Sequence, residues 1–140
     1  MSVCSHSSIS IAICDDESNA LTEIESITKE LLAAEKISCG ISKFRDAASL
    51  LSAVEGGAAF DILLLDVMME HLDGMELAAA LRKQGNDAAI IFISSDLSEV
   101  IGISDRILTM HHGKVVNITD GKKVERNRIL WEATVGTKEE

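Results

Sequence analysis

Apolar residues along this chain fall into short unbroken runs that alternate with stretches of helical periodicity. The densest run, Ile62-Leu63-Leu64-Leu65, ends in a carboxylate, Asp66. A continuous apolar run this short reads as a central parallel strand buried on both faces. Charge has no place inside such a strand, so Asp66 is expected at its carboxyl end, where the chain leaves the sheet. Ile9 to Cys14 is a second run, rich in β-branched residues and closed by Asp15-Asp16-Glu17. Ala89 to Ile93 is another and ends on Ser94-Ser95. A weaker alternation from Ile37 to Phe44, with Cys39-Gly40 inside it, predicts a shorter strand near an edge.

The intervening stretches carry helix signals. Ser18 or Asn19 can cap a helix whose Leu21, Ile24, Ile27, Leu31 and Leu32 recur at helical spacing. Asp46 caps a helix from Ala47 to Val54, and Gly56-Gly57 stops it. Gly74 to Gln84 is amphipathic through Leu77, Ala78 and Leu81, and Gly85-Asn86 ends it. Strands alternating with helices of this length predict an α/β, doubly wound parallel sheet. After Ser95 the style changes. Asp96 to Ser104 predicts a short helix and Arg106 to Met110 a fifth strand. A turn at His111-His112-Gly113-Lys114 leads to a sixth strand from Val115 to Ile118, so this pair reads as a β-hairpin. Lys122 to Ala133 predicts a last helix with Val124, Arg128 and Trp131 on one face, Trp131 anchoring it on the sheet.

Composition narrows the class. The 140 residues are 46% hydrophobic and 26% charged, the balance of one soluble globular domain. That domain is expected over residues 1–140, as a tail over 1–8, a main part over 9–94 and a distinct end over 95–140. The net charge of −10 argues against a nucleic-acid or anionic-membrane surface, both of which need a basic footprint. Lys122, Lys123, Arg126 and Arg128 then read as a solvated helix face. Three cysteines at no framework spacing, with Cys14 inside an apolar strand, suit a reduced, cytoplasmic compartment. Met1 to Ser10 lacks the pattern of a signal peptide, and no apolar run approaches membrane-spanning length.

The carboxylates carry the candidate chemistry. In a flavodoxin-like three-layer sandwich, with sheet order 2-1-3-4-5 and the sixth strand antiparallel at the edge, strands one and three are neighbours. Asp15, Asp16 and Asp66 then share one pocket at the carboxyl edge. Like charges that close repel unless a cation intervenes. Oxygen-only ligands select Mg²⁺. The same ion would neutralise an incoming phosphoryl group and leave Asp66 as a carboxylate nucleophile. The plainer explanation, acidic residues as helix caps, fits a lone aspartate better than an adjacent pair with a matched third. His111-His112 invites a transition metal, but adjacent residues on a strand point to opposite faces, which favours a simple hairpin end.

At these residues the chain resembles the receiver domain of bacterial response regulators. Ile11-Ala12-Ile13-Cys14-Asp15-Asp16-Glu17 looks like that family's first strand and acidic pair. Leu65-Asp66 followed by Leu72-Asp73-Gly74 looks like its phosphoacceptor and the loop that ends in Asp-Gly. Ile91-Phe92-Ile93-Ser94 looks like its fourth strand ending in a hydroxyl residue. The resemblance covers about residues 9 to 94. It implies phosphorylation of Asp66 by a histidine kinase or a small phosphodonor, Mg²⁺ held by Asp16, Asp66 and the backbone carbonyl of Met68, and contact of Ser94 with the phosphoryl group. Glu70 stands where the family usually has proline. The family's fifth-strand lysine is missing too: Thr109, Met110 or His111 occupies its place, and the frequent aromatic residue is absent.

The end of the chain resembles a different family, the sugar-importing ABC transporter ATPases. The run from Ser94-Ser95-Asp96-Leu97-Ser98-Glu99 to Asp105-Arg106-Ile107-Leu108 looks like their tail, as do His112-Gly113-Lys114-Val115-Val116 and Ile129 to Gly136. That likeness covers about residues 90 to 136. No Gly-x-x-x-x-Gly-Lys-Ser/Thr phosphate loop occurs anywhere in the sequence, so neither ATP binding nor an enzyme is expected. The chain therefore reads as a hybrid joined inside Ile90 to Ser95: a phosphoacceptor whose switch half is replaced and which carries no output domain. The alternative is an engineered or recombinant chimeric α/β scaffold without biological activity.

Overall fold

The computed structural model describes residues 8–66, 74–85, 87–94 and 96–136. The chain forms two compact units, Met1–Ile93 and Ser94–Glu140. The division falls where the sequence changes style, after the fourth strand.

The first unit runs β1 (Ile9–Cys14), α1 (Ser18–Ala34), β2 (Cys39–Phe44), α2 (Ala47–Glu55), β3 (Ile62–Asp66), α3 (Gly74–Lys83), β4 (Ala89–Ile93). Its four strands form a parallel sheet in the order β2-β1-β3-β4. Strand alternation splits the apolar residues between two cores. On one face Ala12, Cys14, Leu63 and Leu65 pack with Leu50 and Val54 of α2 and Leu77 and Leu81 of α3. On the other, Ile11 and Ile13 pack with Leu21, Ile24 and Leu32 of α1. Ile27 and Leu31, which share the periodicity, stay exposed.

The helix ends follow from local hydrogen bonding. The Asp46 carboxylate accepts from the Ser49 N–H at 2.7 Å, and this bond holds the carboxyl below its usual range. Gly57 then leaves α2 at φ +103°. Neither Ser18 nor Asn19 caps α1. Glu17 occupies the N-cap position with no side-chain cap. The Asp15 side chain is tied there instead, its Oδ1 accepting from the Glu17 N–H at 3.0 Å.

The second unit runs α4 (Leu97–Ile103), β5 (Arg106–His111), β6 (Lys114–Asp120), α5 (Arg126–Val135). Asp96 caps α4 by accepting from the Glu99 N–H at 3.1 Å. One correction concerns β5. It was expected as the fifth strand of the parallel sheet, yet it pairs with β6 alone in a separate two-stranded antiparallel sheet. The reason is in its pattern. Ile107 and Thr109 are buried while Leu108 and Met110 are exposed, the alternation of a ribbon covered on one face. His112 and Gly113, at φ +50° and +78°, close the ribbon with the left-handed pair that suits a two-residue hairpin.

A second correction concerns the last helix, which begins at Arg126 rather than Lys122. Asp120 consumes the intervening residues in a turn: its Oδ1 accepts from the Lys122 N–H and its carbonyl from the Lys123 N–H. Ile129 and Glu132 are buried, and Trp131 is 41% exposed, so Trp131 is not the anchor. Glu132 is drawn in by polar partners: its Oε2 accepts from Asn117 Nδ2 at 2.9 Å and from Arg128 Nε at 3.3 Å. Among the described residues no helix is long and apolar enough to cross a membrane.

Candidate functional site

The site is built by register. β1 and β3 lie side by side, with Cys14 opposite Leu65 in the last pair of the ladder. One residue further, both strands carry aspartate: Asp15 follows Cys14, and Asp66 closes β3 opposite Ile93 of β4. Neighbouring strands run about 4.8 Å apart. The backbones of Asp15 and Asp66 therefore leave the sheet together at its carboxyl edge, where open α/β sheets bind ligands.

The two members of the acidic pair differ. Asp15 is 4% exposed, its N–H donating to the Phe44 carbonyl at 3.0 Å. Asp16 is exposed, and its carbonyl accepts from the Arg45 guanidinium at 3.4 Å. Arg45 carried no signal in the sequence beyond following β2. The side chain of Asp66 and all of Met68 lie outside the described residues. Ser94 follows Ile93 directly and begins the second unit. Its Oγ accepts from the Asp96 N–H at 3.0 Å and lies 3.5 Å from Glu99 Oε2, the long end of the hydrogen-bond range. Glu99 lies in the run that resembles the sugar importers, which gives it no role at this edge.

Among the described residues no group of three or more His, Cys, Asp or Glu side chains gathers as a metal site. The third carboxylate of the candidate set, Asp66, falls outside that description. The donors are nonetheless of one kind, carboxylate and carbonyl oxygen, which fits a hard cation such as Mg²⁺ and disfavours soft metals. A concavity of about 410 Å³ lies elsewhere, lined by Phe60, Asp61, Gln84 and Ala88 among others. It opens at the amino-terminal end of β3, the wrong edge for strand-end carboxylates. Asp61 is committed there to structure, accepting from the Ser10 N–H at 2.8 Å.

Residues 11–125 match the family described as the response regulator receiver domain. The matched span runs beyond the fourth strand, where the recognisable motifs stop. Among solved structures, the N-terminal domain of a response regulator/sensory box/GGDEF three-domain protein from Carboxydothermus hydrogenoformans is similar in fold. Its TM-score is 0.54 at 18% identity, over 68% of this chain and 75% of that one. The sequence is also similar to sugar importers. It is 51% identical over 51 residues to the ribose import ATP-binding protein RbsA of Lacticaseibacillus paracasei, which is 36% of this chain and 10% of that protein. It is 40% identical over 76 residues to the galactose/methyl galactoside import ATP-binding protein MglA of Yersinia pestis, 50% of this chain and 15% of that protein. The chain thus spans about a tenth of the length of the ribose import ATP-binding proteins it matches.

Proposed function

We propose that this chain, which belongs to the response regulator receiver family, accepts a phosphoryl group on the carboxylate of Asp66. A carboxylate oxygen attacks the phosphorus, the donor's leaving group departs with the bonding electrons, and an acyl phosphate results. The donor is the phosphohistidine of a histidine kinase or a small phosphodonor. One observation carries this reading: the β1–β3 register brings Asp15-Asp16 and Asp66 to the same sheet edge. Asp15, Asp16, Asp66 and the Met68 carbonyl would hold Mg²⁺, which when bound supplies neutralising charge for the phosphoryl oxygens. Asp15 is already oriented by the Glu17 N–H. Ser94 would offer its hydroxyl, which must first leave Glu99.

The similarity to sugar importers supports a hybrid whose second unit descends from such a protein. The sequence contains no phosphate loop, so no ATP hydrolysis is expected of that unit. It also lacks the lysine and aromatic residue with which receivers read the phosphoryl group. A ligand shifts an equilibrium only by its differential affinity for the two states, so phosphorylation should stay local to the acidic edge.

Magnesium provides the test. Millimolar Mg²⁺ should raise the melting temperature by binding only the folded state, worth about 2.7 kcal/mol at one hundred times the dissociation constant. Asp16→Asn and Asp66→Asn should each remove the Mg²⁺-specific part. An undiminished Mg²⁺ response in both variants would eliminate the site.

A further inference from the structure

We propose that the turn of the β5–β6 hairpin is a binding site for a borderline divalent transition ion, held by the imidazoles of His111 and His112. The objection from strand alternation fails here, because His112 has left the strand at φ +50°. The left-handed turn lets the two rings meet, with centroids 4.1 Å apart and planes at 73°. Two imidazole nitrogens bound at right angles to one ion, each at about 2.0–2.1 Å, set their ring centroids about 4.5 Å apart.

A second, independent observation concerns the tautomer of His111. Its Nδ1 lies 2.9 Å from the Ala133 carbonyl oxygen, in the last turn of α5. A carbonyl only accepts, so Nδ1 carries the hydrogen and Nε2 of the neutral ring keeps its lone pair. An imidazole held through its other nitrogen by a backbone carbonyl is how metal-ligating histidines are oriented. Gly136 lies against the same ring: a Cβ there would meet Cδ2 at 2.9 Å and Nε2 at 3.5 Å. Only glycine leaves that edge clear. His111 is thus fixed by its surroundings, while exposed His112 has room to adjust.

Paired imidazoles suit Ni²⁺, Cu²⁺ or Zn²⁺ rather than Mg²⁺, so this site and the acidic edge select different ions. Among the described residues no third His, Cys, Asp or Glu joins the pair. Water completes the shell. A bound ion would clamp the hairpin turn to the end of α5 through the His111–Ala133 bond.

The test uses the full chain, stripped of metal and held in saturating Mg²⁺ to occupy the acidic edge, titrated calorimetrically with Ni²⁺. One ion should bind per chain and should selectively broaden the ring resonances of His111 and His112. His112→Asn keeps a residue that tolerates the left-handed backbone, and should weaken Ni²⁺ binding by about tenfold or more. No saturable binding, an affinity unchanged in His112→Asn, or broadening confined to His6 and His71 would each overturn the proposal.

Discussion

Leu65→Ala should cost the first unit about 2–5 kcal/mol, the range for truncating a fully enclosed leucine. Leu65 is 0% exposed and sits between Cys14 and Phe92 in the ladder, facing Leu50, Val54, Leu77 and Leu81. It also immediately precedes Asp66, so the cavity would loosen the strand end that presents the proposed phosphoacceptor. Ile93→Ala is the internal contrast. Ile93 closes the neighbouring strand but is 58% exposed, and its truncation should stay within about 0.5 kcal/mol. Urea unfolding followed by circular dichroism measures both. Equal losses would mean that burial along the sheet is not distributed as described.

Gly121→Ala should destabilise the second unit by about 3 kcal/mol, the upper end for overpacking, because the obstacle is backbone. Gly121 follows the Arg106–Asp120 pair at the open end of the hairpin, and its N–H donates to the Asp105 carbonyl at 2.9 Å. A Cβ at this position runs into the Ser104 carbonyl oxygen, with the Asp105 carbonyl oxygen only 3.3 Å away. No side chain can swing aside to make room. Gly40→Ala, where nothing lies within 4 Å, should be near neutral. Amide exchange across the β5–β6 ladder should accelerate in the first variant alone. A Gly121→Ala protein as slow to exchange as Gly40→Ala would contradict the close approach.

How far these features were legible depends on the range of the interaction that fixes them. β3 and its terminal Asp66 follow from a local run of apolar residues, and the Asp46 cap from one side chain three residues from its partner. The β1–β3 adjacency required the flavodoxin-like strand order with β2 outside β1, and right-handed crossovers then put the strand ends on one edge. The hairpin of β5 with β6 follows from the turn between them. The separation of β5 from the parallel sheet was harder to read, because an apolar strand of five or six residues suits a sheet edge or a free ribbon equally. What decides is which face is covered, and here Thr109 is buried while Leu108 is not. Trp131 misled for the same reason. Size favoured it as an anchor, but Asn117 reaches across to Glu132 and turns the helix so that Ile129 and Glu132 face inward. Such pairings between distant residues leave no periodic trace. Ser18 and Asn19 are a subtler case: capable caps in type, they lie inside the helix, because its N-cap position falls on Glu17, whose N–H is held by Asp15.

The central claim is that Asp66, with Asp15 and Asp16 beside it, is a phosphoacceptor site whose occupation stays local. Beryllofluoride, which mimics an acyl phosphate on a carboxylate, tests it in one titration read by amide chemical shifts in saturating Mg²⁺. The expected result is change at Asp15, Asp16, the segment from Asp66 to Gly74 and Ser94, little change from Arg106 onward, and complete loss in Asp66→Asn. Unmoved resonances around Asp66, or the same response in Asp66→Asn, would contradict the site, and large shifts through Arg106 to Ile118 would contradict its isolation.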